Sequence, residues 1–404
     1  MRHIVRAYTQ SFKGLSPEIW WLALITLVNR AGAMVIPFLS LYLTEDLSFS
    51  LVQVGWIMTC FGLGSFFGSW LGGKLSDRIG YYKVILYSLI ATAIGFLSLQ
   101  YIESFIGICF GFFFLIAVAD ASRPAFFVAL SAYSKPENKT RSLTLIRLAI
   151  NLGFSAGPAL GGIIIASLGY YGLFWVDALT CLAAAWVLIK TLNPKKARIT
   201  DIEEILKNPL PPHRDSTYVA FLIALALFGF VFVQYFSTMP LYYKEIYGLR
   251  EQQIGFLLGF NGLLIFLLEM PLITFMEGKK WSQAGNVIVG IVFLAISFPL
   301  YVLFEWGGIL IIGMALATLG EMIAFPFGNA FALRRSKLGR QGAYMGLYSM
   351  SFSLAHIFGH NSGMQFVSAL GYDKTWLIMF GVSVLAFVLL FFVKKRLEKE
   401  PLSN

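Results

Sequence analysis

Long apolar runs alternate with short polar breaks along the chain. The run "VGWIMTCFGLGSFFGSWL" (54–71) and the run "VILYSLIATAIGFLSL" (84–99) contain no charge. Between them "GGKLSDRIGYYK" packs Lys74, Asp77, Arg78 and Lys83 into a dozen residues. Runs of about 20 apolar residues are long enough to cross a bilayer as helices. Lipid offers the backbone no hydrogen bonds, so such runs have to be helical. The pattern predicts twelve spans, near 18–43, 51–72, 84–102, 104–130, 141–167, 171–191, 217–243, 251–275, 283–304, 307–333, 341–367 and 373–394. The expected fold class is an all-α polytopic membrane protein of two six-helix halves.

The longest polar interruption, 192–216, falls between spans six and seven. It divides the chain into 1–191, a linker 192–216, and 217–404. Within the linker, Ile199, Ile202, Ile205 and Leu206 recur at helical spacing beside Asp201, Glu203 and Glu204, which predicts a short amphipathic helix lying on the membrane surface. Pro209, Pro211 and Pro212 then end it. Two six-span halves suggest an internal duplication of the kind common in secondary transporters.

Composition agrees with the pattern. Of 404 residues, 58% are hydrophobic and 13% charged, where a soluble protein carries about 25% charged residues. "AGA" at 31–33 mimics a signal-peptide cleavage site, but Arg30 and the eleven further spans argue against cleavage. The formal charge of +10 reads as orientation rather than as a nucleic-acid footprint. Lys244, Arg250 and Lys374 fall outside and Arg30, Arg123 and Arg147 within spans. All the other Lys and Arg fall inside if both termini are cytoplasmic, as the positive-inside rule requires. Cys60, Cys109 and Cys181 lie in apolar spans, without the spacing of a zinc or redox pair. No G-x-x-x-x-G-K-(S/T) loop occurs, so the chain is not expected to hydrolyse ATP. No cofactor or metal is expected.

Two motifs carry a resemblance. "GGKLSDRIGYYK" matches G-x-L-(A/S)-D-R-x-G at Gly73, Leu75, Ser76, Asp77, Arg78 and Gly80. The two basic positions that follow are Tyr81 and Tyr82, with Lys83 one place late. "GFSAGPALGG" in span five supplies Gly153, Gly157, Pro158, Gly161 and Gly162, which match G-x-x-x-G-P-x-x-G-G throughout. The chain resembles the major facilitator superfamily, and with "ADASRPA" and "GAYMGLYS" it resembles drug:proton antiporters of the MdtH-like branch. The resemblance implies a gating latch at Asp77 and Arg78, an exporter-associated kink in span five, and a central cavity lined by spans one, four, seven and ten. Gly64, Gly68 and Gly72 form a small-residue ridge that lets helices approach closely; the resemblance implies that span two packs on span eleven.

Ionisable groups inside a bilayer are expensive and are functional candidates by default. Arg30, beside Asn29, lies mid-span in span one and Glu321 mid-span in span ten. Glu321 is the expected proton carrier, with Arg30 as the charge that sets its affinity in one state. An ion pair between Arg30 and Asp177 of span six is the structural alternative. Asp120 and Arg123 share one face of span four, near Arg147 of span five. Glu269 in span eight reads as either structural or functional. His356 and His360 lie one turn apart in span eleven. They lack the glutamate of H-E-x-x-H and read as a polar lining or a proton-sensitive pair, with backbone hydrogen bonding as the alternative.

The expected activity is proton-coupled export of small amphipathic compounds by a monomer in the inner membrane. Its expected partners are a small-molecule substrate, protons and the lipid bilayer, with no nucleic acid. The rivals are a dedicated carrier of a sugar, peptide, siderophore or other anion, and a non-transporting receptor or scaffold.

Overall fold

A computed structural model of the protein describes residues 14–134, 139–193, 210–279, 281–339 and 341–399. These are nearly all helical, with no strand among the described residues. The helices are α1 Pro17–Ala31, α2 Val35–Leu41, α3 Leu51–Ile79, α4 Tyr81–Leu99, α5 Phe105–Tyr133, α6 Lys139–Leu168, α7 Tyr171–Thr191, α8 Ser216–Phe232, α9 Gln234–Ser237, α10 Met239–Glu245, α11 Glu251–Gly278, α12 Gln283–Leu303, α13 Ile309–Arg335, α14 Gln341–Leu370 and α15 Tyr372–Leu397. α1 and α2, with the wider turn Tyr42–Asp46, make one interrupted span; α8, α9 and α10 make another. Among the described residues, eleven spans are long and apolar enough to cross a membrane. The twelfth, α14, is as long but is broken by Ser351, His356, His360 and Asn361. The chain is a multi-pass helical membrane protein. The predicted linker helix lies outside the described residues.

Helix ends follow local chemistry. Pro17 opens α1 after an extended Ser16, where a missing N–H costs nothing. Ser104, Asp215 and Ser282 accept hydrogen bonds from the first-turn N–H groups of α5, α8 and α12, which satisfies donors the helix cannot. α3 runs through most of the "GGKLSDRIGYYK" stretch to Ile79, and α4 begins at Tyr81. Gly73 therefore sits inside a helix, and the turn is made by Gly80 alone, at φ 86°. Only glycine adopts that conformation without strain.

The chain forms two compact units. One comprises Met1–Tyr42, Leu63–Asp201 and Glu251–Phe266; the other comprises Leu43–Gly62, Ile202–Arg250 and Leu267–Asn404. Inside the first, α1 packs on α6 and α7, and α4 on α5 and α7. Its core joins Ile19, Leu22 and Ile25 to Val84, Ile85, Ala125, Ala129, Ile146 and Leu188. Inside the second, the same plan recurs: α8 packs on α14 and α15, and α12 on α13 and α15. There the fully buried Trp376 meets Phe298 at 5.6 Å and Tyr242 at 5.3 Å between ring centres.

The duplication is also visible residue by residue. Leu41, Tyr42 and Glu45 recur as Leu241, Tyr242 and Glu245. The Phe49 N–H donates to the Leu43 carbonyl at 2.9 Å, as the Leu249 N–H does to Tyr243 at 3.1 Å. Ser48 at φ 53° and Gly248 at φ 62° turn the chain alike. Gln53, Gly55 and Gly62 then recur as Gln253, Gly255 and Gly262.

Candidate functional site

The glycine ridge of α3 faces α5. A Cβ at Gly64, Gly68 or Gly72 would strike the backbone of Phe113, Ala117 or Ala121 in turn. Two helices are thus held in register at backbone contact, the use to which small residues are put in membranes. The contact with α14 expected of span two is made by the other end of α3. There Gly55 and Gly62 lie against Asn361 and Ile357, and Asn361 Nδ2 donates to Thr59 Oγ1 at 2.8 Å.

The span-five motif also has a packing logic. Gly153, Gly157 and Gly161 seat α6 against Arg30, Ala31 and Met34, while Gly162 admits the backbone of Glu251 and Gln252 at the start of α11. Ser155 Oγ donates to the Gly259 carbonyl at 2.9 Å. Pro158 lies within α6.

Arg30 sits in the last turn of α1 with its guanidinium 5.4 Å from the centre of the Phe154 ring. The α1 C-terminus and an aromatic face both favour a cation. Asp177 takes other partners: its carboxylate accepts from the Met34 and Val35 N–H groups at 2.9 and 3.1 Å. It caps the buried start of α2, whose first N–H groups have no partner within the helix, and no ion pair joins it to Arg30 among the described residues. Asn29 Nδ2 reaches Cys181 Sγ at 3.5 Å.

Asp120 and Arg123 form the pair their spacing predicts, Nε to Oδ1 at 2.8 Å. Ser65 Oγ also donates to Asp120. The carboxylate is nearly buried and the guanidinium half exposed. Arg147 is exposed on α6, and Glu269 is buried on α11. Arg78 is exposed beside Gly80, and Lys74 Nζ lies 3.8 Å over the Trp70 ring. The Asp77 side chain lies outside what the structure describes.

In the second unit Glu321 is half buried on α13, one turn from Phe325 on the same face. Phe325 meets Phe232 of α8 and Phe352 of α14, each at 5.2 Å. Phe236 and Tyr348 extend the cluster at 5.4 and 5.2 Å. Phe232, Phe325 and Phe352 are all half buried, so three helices present one aromatic wall. On α14 the facing ring nitrogens of His356 and His360 are 3.1 Å apart. His356 is exposed and His360 buried. No group of three or more His, Cys, Asp or Glu suited to a metal occurs among the described residues.

Sequence reading missed one cluster. Asp215 caps α8 and accepts Nε and Nη2 of Arg335 at 2.6 and 2.8 Å, the Tyr218 N–H at 3.1 Å and the Tyr344 hydroxyl at 3.2 Å. Burial pushes this carboxyl up, but the bonds from Arg335 and Tyr218, the Arg335 charge and the Tyr344 bond outweigh it and hold it below the usual carboxylate range. The available signals were an Asp-Ser helix start and the Arg334–Arg335 pair ending α13.

Comparison with known proteins agrees with this architecture. The family model described as Major Facilitator Superfamily matches residues 22–360. The uncharacterized MFS-type transporter YqjV of Bacillus subtilis is 23% identical, with 97% of each chain covered. The multidrug resistance protein MdtH of Aeromonas hydrophila is 22% identical over 85% of this chain and 86% of its own. A crystal structure of peptide transporter POT in complex with sulfate superposes with a TM-score of 0.81 at 15% identity, covering 95% of this chain and 96% of that one. The chain belongs to the Major Facilitator Superfamily and is a membrane transporter.

Proposed function

We propose that the protein exports small amphipathic compounds across the inner membrane in exchange for protons, with both termini in the cytoplasm. Alternating access would move two six-helix halves, 1–191 and 217–404, joined by the linker 192–216. The observation that carries the reading is the half-buried wall of Phe232, Phe325 and Phe352 one turn from Glu321. An aromatic wall accepts flat apolar bodies of varied outline, and a neighbouring carboxylate favours a positive charge or a proton. The multidrug resistance name of the A. hydrophila relative fits such a site.

Glu321 is the proposed proton carrier. Proton and substrate compete for it, which yields exchange. The test is flux in proteoliposomes under an imposed pH gradient, with tetraphenylphosphonium as an aromatic cation. Wild type should accumulate the probe. Glu321→Gln should lose gradient-driven accumulation by about tenfold or more. Normal pumping by Glu321→Gln would sink the assignment and leave Asp120 and Glu269 as the acids to examine. Arg30 beside Phe154 supports a second reading, a carrier of an aromatic anion. Under that reading an anionic probe is moved in place of the cation, and Arg30→Ala abolishes its binding.

A further inference from the structure

Three observations on the second unit bear on how a proton is held there. The first is the histidine pair itself. Its facing nitrogens, His356 Nδ1 and His360 Nε2, stand at hydrogen-bond distance. Between two neutral imidazoles one N–H serves both rings. The second is the state of His360, which is 5% exposed and whose Nδ1 is buried without a hydrogen-bond partner. Whichever tautomer is present, that nitrogen is left unmatched, at a cost that a change in protonation redistributes. The third is register. Phe325 and Phe352 meet at 5.2 Å, and the Tyr348 hydroxyl points at the Phe325 carbonyl at 3.5 Å. Glu321 lies one turn before Phe325, and His356 one turn after Phe352. Because α13 and α14 run antiparallel, those two turns rise in the same direction, about 6 Å each. Glu321 and His356 therefore lie at one level of adjoining helices.

We propose that His356 and His360 together hold a single proton that they exchange with Glu321, so that carboxylate and imidazole pair act as one titrating unit. The proposal rests on the proton-coupled reading above. Two positive rings with nitrogens this close repel, so the pair holds at most one proton and its titration belongs to the pair. A proton leaving Glu321 as the carboxylate charges is received by the imidazole lone pair, and the reverse step restores both neutral forms. His360 also sits beside the seam where α3 meets α14. Phe61 lies edge-on to its ring at 6.3 Å, and Asn361, next to His360, bonds Thr59, two residues before Phe61. The charge state of the pair is thus placed to be felt by that seam.

The packed part of α3, 51–62, carries only Cys60. α8 and α9 carry Tyr218 and Tyr235, and α14 itself carries Tyr344 and Tyr348. α13 carries Glu321 and, at its end, Arg334 and Arg335. α15 carries Tyr372, Asp373 and Lys374 in its first turn and Lys394, Lys395 and Arg396 in its last. His213, Arg214, Asp215 and Lys337 lie before α8 and after α13. Among the charged ones, Glu321 is at the level of the pair and the rest are at helix ends.

The test uses the full chain in lipid nanodiscs with ¹⁵N-labelled histidine, titrated by NMR between about pH 5 and 8. His356 and His360 should titrate as a coupled pair taking up one proton, and Glu321→Gln should move their midpoint to lower pH by about half a unit or more. His213 should not move. In proteoliposomes, His356→Gln with His360→Gln should cut gradient-driven tetraphenylphosphonium accumulation about tenfold and leave gradient-free counterflow within about twofold. Independent titration of the two rings, unmoved by Glu321→Gln, overturns the proposal. Undiminished pumping by the double variant, with wild type pumping normally, overturns it alone. A wild type indifferent to the pH gradient overturns the proton reading, and this proposal with it.

Discussion

The first helix of each repeat meets the end of the fourth, and the two meetings are built from different chemistry. In the first unit Ser16, preceding α1, donates its hydroxyl to the carbonyl of Tyr133 at the end of α5, at 2.8 Å. In the second, Asp215, preceding α8, holds the guanidinium of Arg335 at the end of α13 in a two-pronged pair. Similar helix packing therefore does not require similar joints. A neutral hydrogen bond suffices in one copy, and the other carries a buried charge pair that is costly to break and insensitive to modest acid. A buried pair adds little over well-packed apolar residues, but removing one partner strands a charge. The two joints should differ most in how they fail.

The largest effect is expected at Asp215. Asp215→Ala leaves Arg335 uncompensated and should cost about 3–5 kcal/mol, read as a lower unfolding midpoint in detergent. Adding Arg335→Leu to Asp215→Ser, which mimics the neutral joint, should recover most of that loss. No recovery would mean that the pair does more than compensate its own burial.

A smaller effect concerns acid. The folded pKa of Asp215 is depressed, so its stabilisation is fully present above the unfolded value of about 3.9 and fades as pH falls through the lower folded value. The melting difference between wild type and Asp215→Asn should stay constant from neutral pH down to about 4 and shrink below it. A difference that shrinks already between about pH 7 and 5 would contradict a depressed carboxyl.

The smallest effect is expected at Ser16. Ser16→Ala removes one hydrogen bond to a carbonyl and should cost about 1 kcal/mol with no pH dependence. A loss as large as that of Asp215→Ala would erase the contrast between the joints.

What was legible in the sequence follows from how far each interaction reaches along the chain. The spans were legible because a bilayer demands continuous apolar length. Asp120 with Arg123, and His356 with His360, were legible because helical spacing places them together. Asp215 with Arg335 was not: the partners are 120 residues apart, and Asp215 lies in what reads as a polar linker. The ridge of Gly64, Gly68 and Gly72 was legible as a ridge but not as to its partner, because spacing alone cannot say which helix lies opposite. Arg30 and Asp177 share an apolar region and opposite charge, yet the break between α1 and α2 exposes N–H groups that hold the carboxylate more locally. The aromatic wall escaped for a different reason. With 38 phenylalanines in the chain, only three-dimensional packing separates the few that gather beside a carboxylate.

The compact units also bear on how the chain can be cut. Each takes a helical segment from the opposite half of the sequence: Leu43–Gly62 in one direction, Glu251–Phe266 in the other. A gene split within 192–216 would thus yield two polypeptides, each lacking an arm that completes its own unit and carrying the arm its partner needs. Made alone, either fragment would lack a helical segment that its compact unit contains. Made together, they would have to exchange arms to become stable. The polar linker is the natural place to sever the chain, and the two pieces would still be obliged to find each other.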